Sequence, residues 1–337
     1  MEMGKRNGIG SKHPIVVHGG GVAGCAAAIA ARRAGAPVTV YERSAFPRHK
    51  VCGEFLSHGV ESVFRQLGLW EQFLGLQPAR MTRLELHFPS KSFSYDLPHA
   101  CWGLSRYTLD AWLMKAALDA GSGWLQENAP PDASPRILAH GRNAVATKGQ
   151  RTFGFKAHHA GPFTETIELH FFDGCYVGVN PVEDGIVNVC GLGSEAILRK
   201  HGFAYDALCE RSATLRARRA SLSRTMDWLS VGPLVYKHRL REAAHENVYP
   251  AGDALGFVDP FTGSGMLNAL LSGSLAGQAA ASEETVREYM KNCGRALQRP
   301  FLVSTLVRKA LASGLAEYVA GWVPASLLFE LTRARLG

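Results

Sequence analysis

Residues 15–42 read IVVHGGGVAGCAAAIAARRAGAPVTVYE, and every feature of the stretch argues for one β-α-β unit. A β-branched apolar run, Ile15–Val17, enters a turn in which Gly19, Gly21 and Gly24 keep the spacing G-x-G-x-x-G. The Ala-rich segment Val22–Arg33 supplies small residues and helix formers, and Val38–Tyr41 gives a second strand that ends on Glu42. The three glycines do different mechanical jobs. Gly19 permits the turn, Gly21 lets the backbone approach a pyrophosphate, and Gly24 lets the helix pack on the strand. The free N–H groups at the helix start, from Val22 and Ala23 onward, would face the phosphates. Glu42 stands about 20 residues beyond the glycines, where dinucleotide-binding units place an acid that accepts ribose hydroxyls.

Working outward, 337 residues exceed the usual size of one hydrophobic core and predict two intimately packed domains. With 46% hydrophobic and 20% charged residues, the chain has the balance of a globular protein and excludes disorder or a fibre. A formal charge of +8 would suit anionic cofactors, acyl carriers, lipid headgroups or nucleic acid. The basic residues are scattered, however, and no nucleic-acid motif accompanies them, so a basic solvated surface without a nucleic-acid partner is expected. Seven cysteines show neither a C-x-x-C pair nor metal-ligand spacing, which predicts a reduced, cytoplasmic chain with no metal site. Met1–His13 is polar and basic and reads as a flexible tail, not as a signal peptide. No stretch would cross a bilayer, since Arg308, Lys309 and Glu317 interrupt the apolar C-terminal region, so membrane contact is expected to be peripheral at most.

After Glu42 come Arg43 and SAFPRHKVCGEFLS. The glycine unit ending in VYER, followed at once by FPRHKVCGEFLS, resembles the flavoprotein superfamily of p-hydroxybenzoate hydroxylase-like monooxygenases and geranylgeranyl reductases. The K-x-C-G-E run is most similar to the geranylgeranyl reductase-like branch. The resemblance implies an α/β fold: a Rossmann-like FAD-binding domain of the glutathione reductase type, an inserted antiparallel-sheet substrate domain, and C-terminal helices. It also implies that Arg43, Arg48, Cys52 and Gly53 approach FAD. Cys52 is open between a reactive role at the ring and plain packing.

Further along, Gly59–Leu69 has helical spacing, and Leu84–Phe88 and Phe93–Leu97 alternate like strands. Trp102–Leu118 reads as an amphipathic helix. Its SRYTLD resembles the family's S-R-x-x-L-D helix, which implies that Arg106 contacts FAD. An arginine near a helix start opposes the dipole, in keeping with such a role. The chain departs from the family at Gly121–Ala146, where a long hairpin is missing. Arg136–Ala139 is the remaining strand there, with His140 in place of the family's Asp and Ala144 in place of its Ser.

From Phe153 to Gly193, alternating segments meet at Asp173-Gly174 and Asp184-Gly185, the signature of antiparallel hairpins. Lys156, His158 and His159 stand at the entry to this sheet, and Tyr176 and Asn180 are further candidates to face a cavity. No catalytic residue is singled out, and Cys52, His158 and Tyr176 are the candidates.

The second strong motif, ENVYPAGDALGFVDPFTGSGMLNALLSGSLAG, begins at Glu246. Asn247–Ala251 reads as a strand, and Gly265 opens a helix running through Ala281. The motif resembles the family's second FAD fingerprint. By that resemblance Gly252 and Asp253 hold the ribityl chain, Pro260 lies by the ring, and the backbone over Gly263, Ser264, Gly265 and Met266 addresses the pyrimidine edge. A helix N-terminus there would stabilise negative charge on a reduced ring. Glu283–Gly337 reads as helices broken near Pro300 and Pro324, with a stripe of Leu302, Leu306, Ala310, Leu311 and Leu315 as core packing.

The expected organisation is a discontinuous FAD-binding domain (14–80, 101–150 and 240–282), a substrate domain (81–100 and 151–239) and a C-terminal helical region (283–337). The expected function is an FAD-dependent oxidoreductase acting on a lipophilic or aromatic small molecule. A monooxygenase fed by NAD(P)H without a separate Rossmann domain is preferred. The alternatives are a geranylgeranyl reductase-like reductase of C=C bonds and a flavin-binding, non-catalytic paralogue with a shortened middle. The W-x-W-x-I-P signature of the halogenases is absent.

Overall fold

The computed structural model describes residues 14–142, 151–234, 245–257, 263–312 and 317–318. The expected tail Met1–His13, Ala144, Pro260, Leu315 and Pro324 lie outside these residues. In chain order, β1 (Ile15–His18), α1 (Val22–Arg33) and β2 (Val38–Tyr41) form the expected unit. Then come β3 (Phe55–Leu56), α2 (Val60–Gln66), α3 (Trp70–Gly75) and a hairpin of β4 (Ala79–His87) and β5 (Ser92–Gly103). The chain returns through α4 (Arg106–Asp119), β6 (Gly123–Leu125) and β7 (Arg136–Leu138). Between β6 and β7 there is no strand, so the hairpin missing from the sequence is missing from the fold.

A meander follows, of β8 (Thr152–Ala160), β9 (Thr166–Phe172), β10 (Cys175–Pro181) and β11 (Ile186–Ser194). Three short helices, α5 (Glu195–Lys200), α6 (Tyr205–Cys209) and α7 (Ala213–Arg219), then lead to β12 (Ser223–Arg224) and β13 (Leu229–Leu234). β14 (Val248–Pro250), α8 (Gly265–Ala281) and α9 (Val286–Ala312) complete the described elements.

Two sheets result. The first is wholly parallel, in the order β14-β7-β1-β2-β6, as a Rossmann-like unit requires. Helices α1 and α8 pack against each other over it through small residues. A Cβ at Gly273 would lie 2.2 Å from the Ala23 carbonyl oxygen, and one at Gly277 would lie 2.1 Å from that of Ala27. This close crossing brings the second motif onto the first. Gly252, at φ +59°, leaves room for only 2.8 Å between an added Cβ and the Ala23 methyl, so the turn before α8 abuts the start of α1.

The second sheet has nine strands, in the order β12-β8-β11-β10-β9-β4-β5-β3 with β13 also on β8. It corrects the expectation of a purely antiparallel sheet, because β4 and β9 run parallel, from Arg83 opposite Thr166 to His87 opposite His170. The physical reason is connectivity. A long excursion through α4 and the first sheet separates these strands, and only such a crossover lets neighbours run in the same direction. The Asp-Gly turns are as expected: Asp173 and Gly174 have φ of 48° and 72°, and Asp184 and Gly185 have 57° and 70°, the left-handed pairs that tight hairpin turns demand.

Two C-terminal expectations are corrected. Helix α9 is continuous across position 300, because Tyr289, Cys293, Leu297 and Phe301 make a buried stripe at four-residue spacing that ties both halves to the core. Leu302 and Leu306 are on the outer side, 56% and 64% exposed, and are not core. No helix of the described residues is long and apolar enough to cross a membrane.

Candidate functional site

A single cavity of about 1080 Å³ runs from the glycine turn to the inner face of the second sheet. Gly19, Gly21, Val22, Ala23, Glu42, Arg43, Arg48, Cys52, Gly53 and Arg106 border it, as do Gly252, Asp253, Gly263, Gly265 and Met266. Two of the predicted cofactor residues are absent from its wall. Gly24 acts in packing: an added Cβ would sit 1.8 Å from the Gly19 carbonyl oxygen. Ser264 is fully buried, its carbonyl accepting from Asn268 N at 2.9 Å in the first turn of α8.

At the nucleotide end, the first helical hydrogen bond of α1 runs from Cys25 N to Gly21 O at 2.9 Å, so the preceding amides have no partner within the helix. Glu42 is held as an acceptor, with Oε2 receiving Gly20 N at 3.0 Å, Oε1 receiving Ser44 N at 2.9 Å, and Arg48 at 3.5 Å. A Cβ at Gly21 would enter the cavity, where the only neighbour within 4 Å among the described residues is Lys50 Nζ at 3.6 Å. A glycine cradle roofed by an ammonium, beside free helix amides and a fixed carboxylate, has the charge and the space for a dinucleotide pyrophosphate and its ribose.

Lys50 belongs to a buried network beside this cradle. Asp110, with its side chain fully buried, accepts two bonds from Arg106, at 2.7 and 2.8 Å, and pairs with Lys50 Nζ at 2.8 Å. Burial opposes the Asp110 carboxylate, but Arg106 and Lys50 outweigh it and hold the group below the usual carboxylate range. Burial and the Arg106 charge together lower Lys50. Glu54, also fully buried and at φ 53°, gathers Arg106 N at 2.7 Å, His158 Nε2 at 2.7 Å and Lys156 Nζ. Burial pushes its carboxyl up, yet the His158 hydrogen bond and the Lys156 charge prevail and keep it low.

These features coincide with what the comparisons find. The FAD binding domain family matches residues 14–50, the first β-α-β unit and the loop after it. The chain is similar to FAD-dependent oxidoreductases. This flavoprotein is 27% identical over 321 residues to the menaquinone reductase of Mycobacterium tuberculosis, covering 81% of this chain and 78% of that protein. It is 24% identical over 343 residues to digeranylgeranylglycerophospholipid reductase 2 of Methanopyrus kandleri, covering 82% and 80%. In fold it is similar to the flavin-dependent brominase Bmp2, with a TM-score of 0.76 at 17% identity over 95% of this chain and 92% of that one.

The far end of the flavoprotein's cavity is apolar. Leu84 and Leu86 of β4, Leu97 of β5, and Ile167 and Leu169 of β9 line it, with Tyr95 and Tyr176 among them. Of the catalytic candidates, Cys52 and Tyr176 border the cavity, whereas His158 lies behind Glu54 and does not. Lys156 likewise serves Glu54, and His159 turns to the opposite face, against Trp228. Asn180 borders the cavity with its Nδ2 donating to Pro181 O at 3.2 Å. Asp253 faces the cavity, and burial raises its carboxyl against the pull of Arg142, 3.6 Å away. His49, at the wall and 5.1 Å from the His158 ring, is lowered by burial and then by the Lys156 and His158 charges.

Sequence reasoning does not single out Glu54 or Asp110 as site residues, whereas Lys50, close to Arg48, already reads as positive charge beside a phosphate site. A signal exists for Glu54, which closes the K-V-C-G-E run.

Proposed function

We propose that this FAD-dependent oxidoreductase reduces a carbon–carbon double bond of a lipophilic, isoprenoid-bearing molecule. The observation that carries the reading is the continuity of one cavity, with a dinucleotide cradle at one end and an aliphatic sheet face at the other. The wall of Leu84, Leu86, Leu97, Ile167 and Leu169 offers a hydrocarbon chain burial without any charged partner, which favours a prenyl chain over an ionised phenol. Similarity to two reductases over about four-fifths of the chain supports reduction over the monooxygenase preferred from sequence.

Bound FAD would supply hydride transfer, with NAD(P)H as the source of electrons. The chain's own residues do the rest. The free amides of α1 and Lys50 hold the phosphates, and Glu42 holds the ribose. The β4–β9 face aligns the isoprenoid and excludes water. Cys52, His49 and Tyr176 are among the proton-bearing side chains at the wall, and one of them would supply the proton that completes the saturation of the double bond.

The test is anaerobic. FAD-loaded protein is reduced chemically and mixed with a menaquinone bearing an unsaturated polyprenyl tail. Reoxidation without oxygen, with a product whose two added mass units lie in the polyprenyl tail and remain after the ring is reoxidised to the quinone, is the expected result. No anaerobic reoxidation, together with substrate-dependent oxygen uptake, would restore the monooxygenase reading. A protein that stays colourless when soaked with FAD would sink both.

A further inference from the structure

Strand alternation sorts the residues of β4 and β9 onto two faces. Leu84, Leu86, Ile167 and Leu169 border the cavity, so Glu85, His87, Glu168 and His170 face the other way. The parallel register sets Glu85 opposite Glu168 and His87 opposite His170, so two E-x-H triplets from distant parts of the chain make a two-by-two array. The imidazole rings stack at 4.5 Å. His87, Glu168 and His170 each offer a ligand atom within 4.8 Å of the others, the one such cluster among the described residues.

Each ring is oriented from its Nδ1 side. His87 Nδ1 meets Ser92 Oγ at 2.9 Å, and His170 Nδ1 meets Thr214 Oγ1 of α7 at 2.9 Å. This leaves both Nε2 atoms for another partner. His170 is 1% exposed, yet its Nε2 makes no hydrogen bond, an expensive state for a buried nitrogen. It lies 3.6 Å from Glu168 Oε2, and His87 Nε2 lies 3.4 Å from Glu85 Oε2. Those separations are near the roughly 3.3 Å edge of a tetrahedron with metal bonds of about 2.05 Å. Arg218 Nε donates to Glu168 Oε1 at 2.6 Å and leaves Oε2 free.

We propose that His87, His170 and Glu168 bind one zinc-class divalent ion, with Glu85 or water at the fourth position. Two imidazoles and a carboxylate suit zinc, whereas magnesium and calcium favour all-oxygen shells. Hydroxyls that fix the imidazole tautomer from Nδ1 are the outer-shell arrangement that metal-bound histidines use. The ion would pin β4 to β9, the parallel seam that joins the hairpin to the meander, behind the cavity wall. Spacing along the chain conceals the site, because its ligands come from two strands.

The test uses the FAD-loaded protein, stripped with a chelator and dialysed against zinc. One zinc per chain by mass spectrometry is expected, and cobalt substitution should give a tetrahedral spectrum without a thiolate band, which excludes the seven cysteines. His87→Ala, at a half-buried position, should abolish stoichiometric uptake. Thr214→Val should weaken zinc binding about ten- to a hundredfold through the lost outer-shell contact. Substoichiometric zinc in the unaltered protein, or undiminished uptake by His87→Ala, overturns the proposal and leaves a hydrogen-bonded His–Glu array.

Discussion

Glu54→Gln isolates the buried network behind the cavity. The change keeps the size of the side chain and removes its charge, leaving Lys156, 0% exposed, with no carboxylate. Breaking one side of such a pair costs about 3–5 kcal/mol, because a buried charge remains without compensation. With about 2.1 cal/mol/K of unfolding entropy per residue, a chain of 337 residues has about 0.7 kcal/mol/K, so Tm should fall by about 4–7 °C. Adding Lys156→Met to Glu54→Gln should recover at least half of that loss, since a pair removed together leaves nothing stranded. The deficit also has a pH signature. Glu54's folded pKa is depressed, so its contribution is complete above the unfolded value of about 4.3 and is lost as pH falls through the folded value. The gap between wild type and Glu54→Gln should therefore close in acid. Thermal melts of the four proteins of the cycle from pH 7 down to pH 3 measure all of this. A Glu54→Gln protein within about 1 °C of wild type at pH 7, or a cycle with no coupling, would refute the network.

Three further outcomes follow from single contacts. Gly24→Ala places a methyl 1.8 Å from a backbone oxygen that has nowhere to go, and should cost about 1–3 kcal/mol in the melt and weaken FAD binding in a fluorescence titration. Glu42→Ala strands Gly20 N and Ser44 N, and should cost about 1–3 kcal/mol together with a loss of FAD affinity, whereas unchanged affinity would place the ribose elsewhere. His159 is pushed down to about 4, by burial first and the Arg219 charge second. A depressed histidine adds stability above its unfolded pKa of about 6.5 and loses it as pH falls toward 4, an effect of about 3 kcal/mol at most. The stability of His159→Phe should thus change less than that of wild type between pH 6.5 and 4, and parallel curves would contradict this assignment.

The local parts of the site are legible in the chain, and the long-range parts are not. Residues 15–42 carry strand, turn, helix and acid in one contiguous span, and the motif after Glu246 does the same, so each is recognisable without tertiary contacts. Arg106 reads as opposing the helix dipole, although its partner Asp110 stands four residues on, at a spacing that puts both side chains on one helix face. Glu54, by contrast, meets Lys156 and His158 across 102 and 104 residues. Alternation in β8 tells which of its residues share a face, and no local pattern tells which loop that face will meet. The parallel seam of β4 with β9 is hidden for the same reason, since hairpin signals describe neighbours in sequence and this pair has none.

The loop from Lys50 to Glu54 is what makes the two ends of the cavity one structure. Its first residue reaches Asp110 of α4 and faces the space above Gly21, at the glycine turn. Its last residue binds the backbone at the start of α4 and two side chains of β8, in the sheet that roofs the far end. Asn188 of β11 adds a bond to Cys52 O at 3.1 Å between those anchors. Cys52 is therefore carried on a segment tied to α4 on one side and to the second sheet on the other, so its position follows both at once. A change that frees Glu54 should disturb FAD affinity and the fit of the apolar wall together. A substitution confined to that wall, such as Leu169→Ala, should alter substrate fit while leaving FAD affinity as it was, and separate measurement of the two quantities in both variants decides whether the loop is the link.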